Sequence, residues 1–248
     1  MAALGFTAVT IHQAGEEQKL TRDEQVTNRY NAAVTNLGDN SEEVRLGGLY
    51  ALERIAKDSP RDAPTVVQVI SAYVRSHAVL SKNAPEPPAH PASDVAAALA
   101  ILVTPLAKDT PIDLNGAELS GANLRGADLH GANLVETDLN GADLSQANLS
   151  GANLDASGSN GADFHGADLH GAKVSANLSG SNLRNVNLSN ADLTLADLEL
   201  ADLTHADLSH AILKNANVKG ATLEYATLKG ADLEGANLKA SEGASPKR

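Results

Sequence analysis

From Ile112 to Leu238 a large apolar residue, most often leucine, returns at every fifth position. Alanine usually stands two residues before it and aspartate or asparagine directly before it. A polar residue follows, then often glycine, as "GANLRGADLHGANL" at 121–134 shows. Thirteen such centres run from Leu114 to Val174, and thirteen more from Leu178 to Leu238. A period of five fits neither an α-helix nor a simple strand. It fits a solenoid in which each pentapeptide makes one short side of a coil. A leucine every five residues can fill the axis, and the alanine leaves room for neighbouring leucines. Asparagine and aspartate bond their own backbone in tight turns, and glycine supplies positive φ at corners.

One interval breaks the beat. Val174 and Leu178 are four residues apart, inside "AKVSANLSGSNL" at 172–183. The missing residue falls at a corner, so both centres can still point inward, and a modest kink or tightened corner is expected. Nearby, Ser159 stands at a core centre and Phe164 at the next, a small-for-large exchange. Lys173 is the only basic residue in the Asp/Asn slot.

Residues 1–80 read as helical. "TRDE" at 21–24 forms a capping box, with Thr21 as cap and Glu24 reaching back. Apolar spacing continues through Val26, Tyr30, Ala33, Val34 and Leu37 to a stop at Gly38. A second helix starts near Ser41 and ends about Lys57, and "TVVQVISAYVRSHA" forms a third. Residues 81–92 carry four prolines and read as a stiff linker. Within 93–110, Ser93 is expected to cap an apolar helix that plugs the open start of the solenoid. An uncapped solenoid exposes core and strand edges. The solenoid is assigned to 111–240 and a flexible tail to 241–248.

Composition narrows the function. The 248 residues contain no cysteine and no tryptophan, and aromatics make up 2%. Disulfides, thiolate metal sites and a cysteine nucleophile are excluded, and stacking on bases is disfavoured. The net charge of −12 opposes direct binding to nucleic acid or anionic membrane. No stretch approaches the roughly 20 apolar residues that cross a bilayer. The apolar run at 2–11 lacks a basic leader, so a cytoplasmic chain is expected. Charge is uneven: residues 111–210 hold fourteen acids and three Lys or Arg, whereas 211–248 hold four acids and six bases.

"GADL" and "GANL", iterated through half the chain, resemble the pentapeptide-repeat proteins. The resemblance implies a right-handed, four-sided β-helix of about six and a half coils, roughly 31 Å long at the strand spacing. "VRLGGLYALERIAKDSPRD" and "SDVAAALAIL" resemble the helical region before the repeats of actinobacterial members. Many of those carry membrane helices upstream, and "LGFTAVTIHQAGEEQ" resembles the tail of one. Membrane association is therefore expected only if such a segment precedes Met1. More distantly, the acidic repeats resemble the quinolone-resistance members, rods that mimic B-DNA and bind DNA gyrase. That resemblance implies DNA gyrase or topoisomerase IV as partner, met by acidic faces containing Asp128, Asp143, Asp163, Asp168, Asp202 and Asp207. A structural scaffold or membrane-proximal adaptor for another protein is the alternative.

Four pentapeptides per coil would put Asp113 and Asp192 on one side, and Glu118, Asp138 and Asp197 on the next. Asp143, Asp163 and Asp202 would share the third side, and Asp128, Asp168 and Asp207 the fourth. Leu195, Leu200 and Tyr225 occupy a slot that usually holds glycine or a polar residue, which makes them candidate apolar contacts. The last coils, around Leu233 and Leu238, need cover that a homodimer would supply. No metal is expected: the Asp128–His130 and Asp168–His170 pairs lie two coils apart, about 10 Å. No cofactor motif or triad is present, and a convex surface offers no water-excluding pocket, so a non-enzyme is expected.

Overall fold

A computed structural model describes residues 19–20, 23–79, 89–104, 106 and 110–243. The chain divides into two compact units, Met1–Val66 and Val67–Arg248. Among the described residues four helices precede the repeats: α1 over 23–37, α2 Glu42–Asp58, α3 Ala63–His77 and α4 Ser93–Leu102. The division between units falls inside α3. Thr21 and residues 81–88 of the expected linker lie outside the described residues.

In the first unit, α1 and α2 close on each other because α2 carries Gly48. A Cβ there would sit 2.8 Å from the Ala33 carbonyl oxygen and 3.2 Å from Leu37 Cδ2. Ala33, Leu37, Leu49, Leu52 and Ile55 are buried, and each large side chain contributes about 1.5–3 kcal/mol. Ser41 caps α2 as expected, its Oγ accepting from the Val44 N–H at 3.4 Å. Arg29 pairs with Asp58 and Arg61 with Asp23 across the hairpin.

In the second unit, the end of α3 and α4 cover the first coil together. The Glu118 N–H donates to the Ala78 carbonyl at 2.8 Å, and the Asp128 N–H to the Val103 carbonyl at 3.4 Å. Arg75 reaches the Asp113 carbonyl at 2.6 Å and its carboxylate at 2.8 Å. Val95, Ala98, Leu99, Ile101 and Leu102 bury the apolar side of α4. Ser93 does not cap this helix. Ala92 takes the cap position with no side-chain bond, and Ser93 is already helical. The acidic residue beside it is drawn inward instead: Asp94 accepts from the Tyr73 hydroxyl at 2.6 Å and from the Val95 N–H.

The repeats coil with a period of four pentapeptides. Asp113 bridges Asn133, Asn133 bridges Asn153, and the other three columns run the same way, all parallel and, outside the dropped beat, twenty residues apart. Each centre donates its N–H forward, as Leu114 does to the Asn133 carbonyl. Each Asp/Asn residue donates backward, as Asn133 does to Ile112. Among the described residues these bridges never extend into consecutive strand residues, so each side contributes one bridged position. The corners bend too sharply and too often for longer pairing. Centres from Leu114 to Leu223 are almost fully buried.

The dropped beat is absorbed at one corner. Column spacing falls from twenty to nineteen for Lys173↔Asp192, Gly158↔Asn177, Asp163↔Asn182 and Asp168↔Asn187, then returns to twenty at Asn177↔Asp197. Val174 and Leu178 remain fully buried. The usual two-residue turn with a positive-φ corner residue is absent between them. The corner is tightened while the ladder continues. Ser159 and Phe164 are also fully buried, as the size exchange requires.

Leu144→Ala should destabilise the chain by about 2–5 kcal/mol in denaturant unfolding, because nothing can collapse into the vacated axis. Inserting one glycine between Ser175 and Ala176 should leave the melting temperature within a few degrees of wild type. A large loss would show that the short corner is required. A third outcome concerns Glu118, whose carboxyl is raised by burial and then by the charge of Asp138, its bridge partner. The folded carboxyl holds its proton to higher pH than the unfolded one, so stability falls as pH rises through that interval. Glu118→Gln should therefore melt higher than wild type at neutral pH, with the gap closing in acid.

Candidate acidic sides and corner residues

The acids belong to the backbone before they belong to any partner. In the slot before each centre, the carboxylate or amide Oδ1 accepts the N–H two residues on. Asp143 takes the Ser145 N–H at 2.9 Å, Asp163 that of His165 at 2.9 Å, and Asp168 that of His170 at 3.0 Å. Asp202, Asp207 and Asp128 do the same with Thr204, Ser209 and His130. These are Asx turns, the reason the slot so often holds Asp or Asn.

Neighbouring coils add a second use of the same oxygen. Asn148 Nδ2 donates to Asp128 at 3.1 Å, Asn182 to Asp163 at 2.9 Å, and Asn187 to Asp168 at 2.8 Å. An amide stacked over a carboxylate separates like charges along the column and supplies a donor. Burial pushes the Asp143 carboxyl up, but the Ser145 hydroxyl and N–H, with Arg125 nearby, outweigh it and leave it lowered. Burial likewise opposes ionisation of Asp202, and the Thr204 hydroxyl and N–H with Arg184 reverse the balance.

The bridges place the six candidate acids on two adjoining sides. Asp143, Asp163 and Asp202 lie in the third column and Asp128, Asp168 and Asp207 in the fourth, as counting predicts. Ion pairs are scattered over all four sides, and Asp192 on the first side and Asp138 and Asp197 on the second also lack a partner within 4 Å among the described residues. Asp113, Asp232 and Glu234 pair with Arg75 or Lys214, and Glu199 pairs with Lys219. On the third and fourth sides Asp202 pairs with Arg184, and Asp128 meets His130 at 3.0 Å. Asp143, Asp163, Asp168 and Asp207 have no ion-pair partner within 4 Å among the described residues.

Leu195, Leu200 and Tyr225 do not form one patch. Leu195 and Leu200 take adjoining corners of a single coil, each 69% exposed, while Tyr225 takes the corner between the third and fourth sides. All three have positive φ. Tyr225 stacks on His205, one coil earlier at the same corner, with ring centroids 4.9 Å apart and planes 13° apart. That pair was missed by spacing arguments, although the twenty residues between 205 and 225 are one coil and would have revealed it. No group of three or more metal-capable side chains gathers among the described residues. No described helix is long and apolar enough to cross a membrane.

Comparison with known proteins falls on the same segment. A family model described as pentapeptide repeats matches in eight copies, over 112–141, 132–175, 161–204 and 201–239. Among solved structures the chain is similar to HetL, a pentapeptide repeat protein involved in heterocyst differentiation regulation from the cyanobacterium Nostoc sp. strain PCC 7120. The identity is 39% over 53% of this chain and 65% of that one, with a TM-score of 0.28. Rfr23, a pentapeptide repeat protein from the cyanobacterium Cyanothece 51142, is 36% identical over 36% of this chain and 58% of that one, with a TM-score of 0.29. The chain thus spans under two thirds of the length of each. QnrB1, a plasmid-mediated fluoroquinolone resistance protein, is 20% identical over 53% of this chain and 70% of that one, with a TM-score of 0.38. No curated protein matches the chain.

Thr204→Val removes the hydroxyl that bonds Asp202 and should raise the carboxyl's titration midpoint, read by side-chain carbonyl NMR. Because the folded carboxyl is lowered, its stabilisation is full above the unfolded value and fades as pH falls through the folded one. The variant should be less stable than wild type at neutral pH, with the gap closing as pH falls and both carboxyls become protonated.

Proposed function

Because the chain belongs to the pentapeptide-repeat family, we propose that it is a non-catalytic protein-binding scaffold. Its coils form a right-handed, four-sided β-helix whose acidic sides stand in for duplex DNA toward DNA gyrase or topoisomerase IV. Four carboxylates without ion pairs on the adjoining third and fourth sides carry this reading. Asp143, Asp163, Asp168 and Asp207 hold their Oδ1 atoms in Asx turns and so present charge from fixed positions. Fourteen acids over about five coils, or roughly 24 Å, amount to about one per 1.7 Å, near the charge density of duplex DNA.

The last coil supports a homodimer within the same reading. Leu228, Leu233 and Leu238 are only half-buried, whereas the centres before them are nearly all inaccessible. A second copy set end to end would cover them. A cytoplasmic location accompanies a gyrase partner. The adaptor alternative draws on the helical region instead, where Tyr50 of α2 is exposed beside Arg54.

Purified protein should inhibit gyrase supercoiling, with an affinity that falls as salt rises. Replacing Asp143, Asp163 and Asp202 together with Asn retains the turn-forming oxygen and should weaken inhibition by about tenfold or more, with only a small fall in melting temperature from the lost Arg184–Asp202 pair. Absence of inhibition at micromolar wild-type protein would sink the gyrase reading. Partner capture by residues 1–92 alone would favour the adaptor.

A further inference from the structure

The repeat stops before the chain does: position 243, where the next centre would fall, holds glycine. Earlier coils give the N–H of each centre and the carbonyl of each slot alanine to the coil ahead, as Leu213 and Ala211 do with Asp232. On the last turn the same groups meet nothing. The N–H groups of Leu228, Leu233 and Leu238 make no hydrogen bond among the described residues, and neither do the carbonyls of Ala226, Ala231 and Ala236. The three leucines are also only half-buried. Open donors and acceptors beside apolar side chains are a strand edge that has to be paired or covered.

This edge is complementary to itself when reversed. On each side the open carbonyl stands two residues before the open N–H. That is the arrangement around a non-hydrogen-bonded pair of an antiparallel ladder. A second copy turned end to end by a two-fold axis presents the same groups in the opposite direction. The helical rise then fixes where the axis lies. The last turn carries four bridged positions, Thr227, Asp232, Asn237 and Glu242. Each stands about 1.2 Å above the one before, a quarter of the strand spacing. An axis at their middle, the corner between Asp232 and Asn237, fits the step of one copy to the step of the other on all four sides. Moved either way, it drives Glu242 into the opposing edge or leaves Thr227 uncovered.

We propose that two copies join by antiparallel backbone pairing of their last turns about this corner, and that the acidic face is built from both. The Leu233 N–H donates to the partner's Ala236 carbonyl, and the Leu238 N–H to the partner's Ala231 carbonyl. The Leu228 N–H and the Ala226 carbonyl meet the carbonyl of the partner's Ser241 and the N–H of the partner's Gly243. Asp232 faces the partner's Asn237, the same amide-on-carboxylate stacking that Asn217 makes on Asp197 at 2.9 Å. The two-fold also lays the third side of one copy in line with the fourth side of the other. Asp143, Asp163 and Asp202 thus continue into the partner's Asp128, the partner's Asp168 and the partner's Asp207. The junction takes up the homodimer of the scaffold reading, and the composite face rests on that reading's acidic sides.

The chain has no cysteine, so single introduced cysteines report the register. Facing residues of a non-hydrogen-bonded antiparallel pair have Cα atoms about 4.5 Å apart, within disulfide reach. Full-length Asp232→Cys and Asn237→Cys chains, mixed and mildly oxidised, should cross-link to each other about tenfold more than either does alone. Preferential cross-linking of Asp232→Cys to itself, or none in the mixture, overturns the proposal, as does wild type that sediments as a monomer at micromolar concentration. Leu233→Glu should sediment as a monomer, and the disulfide-locked pair as a dimer. In a supercoiling assay run in parallel, the locked dimer should inhibit gyrase more strongly than the Leu233→Glu monomer. Equal inhibition overturns the composite face. Absence of inhibition by every form, with the cross-link pattern as expected, removes gyrase as partner and leaves the junction standing.

Discussion

The axial hydrogen-bond ladder is the constraint on which everything else in the repeats depends. Each centre N–H donates to the coil ahead and each Asp/Asn N–H to the coil behind, so register must repeat every four pentapeptides. Leucine, alanine and glycine answer that one requirement at three places. The leucine fills the axis, the alanine lets the chain turn beside it, and glycine takes the corner's positive φ. The ladder also explains why a lost residue is tolerated. Corners add axial bonds of their own, and at the shortened corner the Ser175 carbonyl still accepts the Ala156 N–H at 2.9 Å, so the ladder passes through it.

The same requirement places the charge. An Asx turn needs an oxygen on a short side chain, and aspartate and asparagine serve it equally, so the fold leaves the sign of each slot open. Asp128 under Asn148, and Asp168 under Asn187, show how alternation keeps a column from repelling itself. Glu118 beside Asp138 shows the opposite choice, two carboxyls in adjoining coils, with ionisation of Glu118 suppressed. Choosing aspartate over asparagine is therefore where function can be written without touching the fold. The six candidate acids and the asparagines among them are read as that choice.

Corners obey a stricter chemistry. Glycine is favoured by backbone geometry alone, so Leu200, His205 and Tyr225 are departures with an energetic cost. Leu200 and His205 stand near the end of the acidic run, and Tyr225 one coil after His205, among Lys214, Lys219 and Lys229. Local rules fail where another demand competes with them. The start of the solenoid meets a different demand. Helix α4 covers apolar surface, while the Ala78 and Val103 carbonyls and Arg75 engage polar groups of the first coil.

The five-residue beat by itself determined the coil, the four columns and the side on which every acid lies, because period and register follow from counting once a solenoid is accepted. It also placed Leu195, Leu200 and Tyr225 at corners and the four-residue interval at a turn. Contacts between distant positions needed the tertiary structure. Ser93 looked like a cap, but Asp94 is held by Tyr73, twenty-one residues earlier, and the helix begins one residue sooner. The share of the first coil's cover supplied by Arg75 and Ala78 had no local signature. Which acids stay unpaired depended on lysines and arginines reaching across coils, and the His205–Tyr225 stack on two corners meeting in space. Periodicity is a property of neighbours along the chain; pairing is decided by which side chains the coils bring together.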